Sequence, residues 1–316
     1  MEEYTELVGL KQQYPHLVVV LGTFDGVHRG HQSIIRRGVE LARSIDGHCL
    51  VFTFQNHPLS VIQGRKEPPR IGTPALGRRL FTRLGVDILV SIPFTKSFAS
   101  VTPSGFMQML QRYFAPDYVV TGPNYTFGRY GKGTCRTLVE EGKRYGFTAV
   151  TAPPVLQDGK LVSSTRIRSL LHRGMLQQAN TCLGYPFTVM GEVIHGQKRG
   201  RQLGFPTANL AIADTMAMLP NGVYATLVQV DGSVYGGSAN IGDNPTFDNC
   251  DRRIEVHIQG FSGDIYGREI LVSFLRKIRD EQRFASLDAL VAQIRRDEEA
   301  VGKITISHLQ APGSMI

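Results

Sequence analysis

Tryptophan is absent from the 316 residues, and cysteine occurs only at 49, 135, 182 and 250. None of these cysteines forms a C-x-x-C pair, and four thiols in so long a chain make no disulfide framework, which predicts a reduced, cytoplasmic protein. No apolar run approaches the roughly 20 residues that span a bilayer. The polar opening "MEEYTELVGLKQQYP" lacks the basic start and apolar centre of a secretory signal, so no membrane partner is expected. Internal repeats and low-complexity tracts are also missing.

The formal charge is +8, with lysine and arginine dispersed along the chain. Such a surface suits phosphate-bearing small molecules as well as nucleic acid. An RNA-binding regulator would use dense alternation of aromatic and basic residues as a stacking platform, and the chain has none, so no nucleic-acid partner is expected. A salt titration with labelled RNA separates the two readings, since such binding falls steeply with salt.

What is present is enough apolar material for two domains, at 42% hydrophobic residues. From residue 16 to about 156, β-rich runs such as "HLVVVLG", "HCLVFTF", "VDILVSIPF", "DYVVTG" and "FTAVTAPPV" alternate with helix-like stretches such as "QSIIRRGVELARSI" and "FMQMLQRYF". This alternation predicts a parallel sheet with crossover helices. In the first helix Ile34, Leu41 and Ile45 share one face, with Ile35 and Ala42 beside them.

After "CLGYPF" the rhythm changes to six closely spaced strand candidates, "FTVMGEVIHG", "TANLAI", "GVYATLVQV", "SVYGGSANIG", "RRIEVHIQGF" and "EILVSFLRKI". These predict an antiparallel barrel. The segment "SLDALVAQIRRDEEAVGKI", with Ser286 as N-cap, Asp288 in its first turn and Leu287, Leu290, Val291 and Ile294 on one face, predicts a terminal helix. The expected domains are 1–184 and 185–316.

Between the first strand and the first helix lies "GTFDGVHRGH", residues 22 to 31. A Gly-rich turn that ends a strand and opens a helix presents backbone N–H groups and the positive end of the helix dipole, a natural seat for phosphate. His28 and His31, three apart, can donate to charge developing on a phosphoryl group, and Gly30 leaves room for a nucleotide beside the backbone. The competing readings are two surface histidines or a metal pair with a distant third ligand.

With "FQNHP" at 54–58, "TGPNYTFGRYGKGT" at 121–134 and "VSSTRIRSLL" at 162–171, this motif resembles the H-x-G-H nucleotidyltransferases in the form used by bacterial FAD synthetases. The resemblance is to the bifunctional riboflavin kinase/FMN adenylyltransferase family and covers nearly the whole chain. It implies a Rossmann-like nucleotidyltransferase domain followed by a riboflavin-kinase barrel. ATP, riboflavin, FMN and FAD would be substrates or products, Mg²⁺ would be the cofactor, and the protein would be a monomer or weak homo-oligomer.

By this resemblance His28 and His31 are catalytic, and Gly22, Phe24, Asp25 and Gly30 bind ATP or FMN. Asn124, past the carboxyl end of a strand, would hold a flavin phosphate or adenine edge. Ser163, Ser164 and Thr165, with Arg166 and Arg168, would hold ATP phosphates, the plainer alternative being a helix cap with exposed arginines. His57 is a ligand contact or simply a turn residue before proline.

In the second domain "GQKRGRQLGFPTANL" resembles the riboflavin kinase signature. Gly196, Gly200 and Gly204 would let a loop fold over phosphates, neutralised by Lys198, Arg199 and Arg201, although basic Gly-rich loops elsewhere bind RNA. After Pro206, Thr207 and Asn209 offer hard oxygen donors for Mg²⁺. Glu255 and His257 share a strand face opposite Ile254, Val256 and Ile258. The resemblance makes Glu255 the general base, against the plainer reading of a solvent-facing glutamate. "SANIGDNPTF", with Asn240, also matches, and Gly260 stands where the family more often has an acidic or amide residue. A narrower alternative is an FMN adenylyltransferase with a silent flavin-binding barrel, which the intact Thr207, Asn209 and Glu255 argue against.

Overall fold

The computed structural model describes residues 1–64, 66–196, 200, 204–213, 215–246 and 249–309, with backbone alone at 63, 243–246 and 249–253. The chain forms two compact units, Met1–Arg70 with Pro74–Ser164, and Ile71–Thr73 with Thr165–Ile316.

The first unit holds a six-stranded sheet of β1 (Glu2–Tyr4), β2 (Leu17–Leu21), β3 (His48–Phe54), β4 (Ile88–Ile92), β5 (Tyr118–Thr121) and β8 (Thr148–Thr151). Short hairpins β6 (Thr126–Phe127) with β7 (Gly133–Thr134) and β9 (Leu156–Gln157) with β10 (Lys160–Leu161) lie outside it. Its strand order is β1-β4-β3-β2-β5-β8 and every pairing is parallel. The all-apolar run Leu17–Leu21 is buried throughout, as a central parallel strand covered on both faces should be.

Helices α1 (Arg29–Ser44), α2 (Pro58–Gln63), α3 (Pro74–Arg83), α4 (Lys96–Ala99), α5 (Pro103–Tyr113) and α6 (Cys135–Glu141) fill the connections. From β2 the chain steps outward through β3 to β4, then returns to β5 on the other side of β2. The order therefore reverses between β2 and β5, and ligands of open α/β sheets bind beyond the strand ends at such a switch point.

The buried stripe of α1 is Gln32, Ile35, Gly38 and Ala42, while Ile34, Leu41 and Ile45 flank it half-buried. The small residues draw the helix close to the sheet: a Cβ on Gly38 would lie 2.2 Å from Val20 Cγ2. Gly38→Val should therefore destabilise the protein by about 3 kcal/mol, at the upper end of overpacking costs, read as a lowered urea midpoint. β1 was not visible in the sequence, because three polar residues joined to β4 by backbone bonds leave no apolar pattern.

The second unit is a closed barrel of β11 (Phe187–Ile194), β12 (Thr207–Ala211), β13 (Gly222–Val230), β14 (Ser233–Thr246), β15 (Asn249–Ile258) and β16 (Glu269–Arg279), antiparallel throughout in the order β11-β12-β15-β14-β13-β16. All six expected strands are present. Ahead of the barrel run α7 (Ser164–His172) and α8 (Leu176–Leu183), and Asn180 of α8 ties β11 to β16 by accepting from Phe187 N–H and donating to the Phe274 carbonyl.

The terminal helix α9 (Leu287–Leu309) starts as predicted, with Ser286 Oγ accepting from Ala289 N–H. Its buried line is Asp297, Val301 and Thr305, whereas Leu287 is 63% exposed. The first turns border a cleft rather than pack on the barrel, which moves the apolar contact toward the C-terminal half. Cys49 and Cys135 are free thiols, and burial pushes the Cys49 thiol up to about 12.

Candidate active sites

At the switch point of the first unit, the strand end at Leu21 passes through Gly22 to a short 3-10 turn at Asp25–Val27 and then into α1. His28 is the N-cap of α1: it is extended, and its Nδ1 accepts the His31 N–H at 3.3 Å. An accepting Nδ1 leaves the proton of a neutral ring on Nε2, so the cap favours that tautomer. The His28 and His31 rings stack at 3.6 Å between centroids, and Phe24 meets His31 edge-on at 5.3 Å. Phe24 is buried and in turn packs on Phe81, so its ring supports His31 from the core side.

Gly22 lies under the Phe24 ring, and Gly30 faces the His28 imidazole and the Val162 carbonyl, both within about 3.4 Å of an added Cβ. The space Gly30 leaves is thus taken up by the motif's own groups. Ser164 Oγ donates to the Asp25 carbonyl at 3.2 Å, which brings Ser164 against the histidine turn. Ser163 lies just before α7, while Thr165, Arg166 and Arg168 belong to the part of α7 assigned to the second unit. Asn124 is exposed in the turn after β5, on the other side of the switch point.

His57 follows β3 and caps α2, its Nδ1 accepting the Leu59 N–H at 3.2 Å. Its own N–H donates to Glu67. Burial alone would raise the Glu67 carboxyl, but the His57 N–H, the Arg70 guanidinium and the Ser60 hydroxyl hold it below its ordinary value.

In the second unit the strand register builds the site. Asn209 on β12 stands opposite Glu255 on β15, which stands opposite Asn240 on β14. The neighbouring row is Thr207, His257 and Ser238. Paired residues share a face, so two polar rows cross three strands, while Ala208, Leu210, Ile254, Val256 and Ile258 point into the buried barrel core. The predicted division of faces on β15 therefore holds. Thr207, Asn240, Glu255 and His257 line a cavity of about 660 Å³, closed by Arg279–Phe284 and the first turns of α9. Glu255 thus faces a cavity rather than open solvent.

Asn209 is 7% exposed, and its Oδ1 is buried without a hydrogen-bond partner among the described residues. An orphaned amide oxygen beside the Thr207 hydroxyl fits a hard cation. Gly196 is required at its position because a Cβ there would lie 2.2 Å from Asn209 Nδ2. Gly200 and Gly204 precede β12, and Gly204 sits in a turn with a left-handed φ of +83°. Pro206 is exposed at the start of β12, and Lys198, Arg199 and Arg201 lie outside the described residues. Gly260 has a φ of +69° in the turn after β15, with nothing within 4 Å of an added Cβ. That conformation admits glycine, aspartate or asparagine, so the departure there is a matter of turn geometry.

The sequence reading missed several residues at this cavity, among them Arg279, Phe284, Asp297 and Glu298. Arg279 Nε donates to the buried Asp297 at 2.8 Å and its guanidinium lies 5.7 Å from the Phe284 ring, while Glu298 projects to the opposite wall. The available signal was Asp297 itself, a carboxylate on the apolar stripe Leu290, Ile294 and Val301.

A nucleotide-type switch point with a paired-histidine helix start, joined to a barrel with an acid–amide row over a deep cavity, defines a two-site transferase of phosphorus-containing groups. Family models agree with both halves: FAD synthetase matches residues 10–166 and riboflavin kinase residues 183–305. The chain is 36% identical to the bifunctional riboflavin kinase/FMN adenylyltransferase of Bacillus subtilis over 298 residues, 92% of this chain and 93% of that one. It is also 36% identical to the protein of the same name from Escherichia coli K12, over 89% of this chain and 90% of that one. A crystal structure described as a macrolide-efflux protein from Streptococcus pneumoniae superimposes with a TM-score of 0.84 at 36% identity, covering 95% of this chain and 99% of that one. Among the described residues, no helix is long and apolar enough to cross a membrane. The chain belongs to the bifunctional riboflavin kinase/FMN adenylyltransferase family.

Proposed function

We propose that residues 185–316 phosphorylate riboflavin with ATP and that residues 1–184 adenylylate the resulting FMN with a second ATP, giving FAD and pyrophosphate. The observation that carries the reading is the row Asn209–Glu255–Asn240 across three strands, of which Glu255 and Asn240 line the cavity. Rigid strands hold a general base within hydrogen-bond reach better than a loop would.

In the kinase half, Glu255 takes the proton of the terminal ribityl hydroxyl. The ribityl oxygen so freed attacks the γ-phosphorus of ATP, the bond to the bridging oxygen breaks, and ADP leaves. Thr207 and Asn209 would hold Mg²⁺, which when bound offsets the charge of the phosphates. Asn240, Gly196, Lys198, Gly200, Arg201, Gly204 and Pro206 would frame nucleotide and flavin.

In the adenylyltransferase half no enzymic nucleophile is needed. A phosphate oxygen of FMN attacks the α-phosphorus of ATP, and pyrophosphate leaves. The chain's task is alignment and stabilisation of the developing charge. His28, through Nε2–H, and His31 would donate to the phosphoryl oxygens. The turn at Gly22, Phe24, Asp25 and Gly30 would shape the nucleotide seat, with Asn124 and His57 along the strand ends. Ser163, Ser164, Thr165, Arg166 and Arg168 would bind phosphates.

We place the protein in the cytoplasm, in keeping with the free Cys49 and Cys135 thiols, as a monomer or weak homo-oligomer.

Incubation with riboflavin, ATP and Mg²⁺, and separately with FMN in place of riboflavin, tests both halves when the flavins are resolved by chromatography. FAD from both is expected. FAD from FMN alone would leave the barrel silent, and FAD from neither would overturn the reading.

A further inference from the structure

His257 makes a contact that general-base chemistry at Glu255 does not require. Pro206 has no N–H, so the polar backbone group it offers is its carbonyl. That oxygen lies 2.9 Å from His257 Nδ1, and since a carbonyl only accepts, Nδ1 carries the proton of this bond. The β12–β15 pairing runs from Leu210 only as far as Thr207 opposite His257. The imidazole thus extends the pairing one residue past the end of the ladder.

The ring is itself held. Its Nε2 faces Glu298 Oε2 at 3.8 Å, and Phe205 packs edge-on at 5.7 Å between centroids. Glu298 of α9 accepts from Ser238 Oγ and from Gln259 Nε2, each at 2.6 Å. The side chains of His257 and Glu298 are only 18% and 15% exposed. Two donors, Ser238 of β14 and Gln259 in the turn after β15, therefore fix one carboxylate, and that carboxylate stands behind the imidazole.

We propose that His257, backed by Glu298, is a positioning residue for riboflavin phosphorylation: it pins the Pro206 carbonyl and so sets where the Thr207 hydroxyl meets the nucleotide phosphates. The inference rests on the cavity being the kinase site.

Two amide substitutions test it, because an asparagine N–H can take the place of Nδ1–H whereas a glutamine amide falls near the position of Nε2. His257→Gln should raise the KM for ATP in riboflavin phosphorylation about tenfold, with kcat changed less than about threefold, as for loss of a group that orients a ligand. His257→Asn should retain a near wild-type KM. Calorimetric titration with ADP in the presence of Mg²⁺ should show the same separation in Kd. Adenylylation of supplied FMN should be unchanged in both variants. Equal KM and Kd for the two variants would overturn the proposal, whether both match wild type or both are impaired. Wild-type protein that makes no FMN from riboflavin would overturn the kinase reading itself.

Discussion

His28→Ala lowers the rate of FMN adenylylation about 10²- to 10³-fold and leaves riboflavin phosphorylation at its wild-type rate, the loss expected when a transition-state donor is removed. The substitution also removes an N-cap, which by itself costs about 1 kcal/mol of stability. His28→Asn separates the two effects. Asparagine caps well and can accept the His31 N–H as Nδ1 does, but it has no counterpart of Nε2–H. The asparagine variant should therefore melt close to wild type while making FAD as slowly as the alanine variant. Steady-state production of FAD from supplied FMN, with thermal melts of both variants, checks this. Near-normal FAD synthesis by either variant would remove His28 from the chemistry and leave it as a cap.

The second large effect is at the barrel. Glu255→Gln should slow conversion of riboflavin to FMN by about 10²- to 10⁴-fold, the span a general base contributes, while FAD still forms from supplied FMN. Glutamine keeps the size and hydrogen-bonding reach of the side chain between Asn209 and Asn240, so the cavity wall is preserved and only the basicity is lost. A parallel measurement of ADP affinity should show little change. If phosphorylation survives at the wild-type rate, the proton goes to another group, and Glu281, which also lines the cavity, is the next carboxylate to replace.

Both tests depend on features that were unequally legible in the chain. The alternation of β-rich and helical runs before residue 156 and the six short strands after 187 gave the two architectures, because period and turn chemistry are local properties. The face of β15 was equally plain, since strand alternation separates Glu255 and His257 from Ile254, Val256 and Ile258 without knowledge of any neighbour.

Other features depended on contacts distant in sequence. The apolar face of α1 was displaced from Ile34, Leu41 and Ile45 toward Ile35, Gly38 and Ala42, because close approach to Val20 rewards small residues that carry little hydrophobic signal. The proposed role of Phe24 as a ligand contact takes a different form in the fold, where its ring packs between His31 and Phe81.

By itself, the sequence determined the main strands and helices, the parallel and barrel classes, the residues proposed for each chemistry, and the family. Tertiary structure decided which of those residues stand together. The strand order puts the histidine turn at the reversal between β2 and β5, and the barrel register lays Asn209, Glu255 and Asn240 in one row. It also decided the surroundings of the groups: that His28 Nδ1 caps α1, that Asn209 Oδ1 is buried, and that Asp297 pairs with Arg279 while Glu298 binds Ser238. The physical reason is that periodicity and turn preference act between residues a few positions apart, whereas register and burial are set by partners tens of residues away.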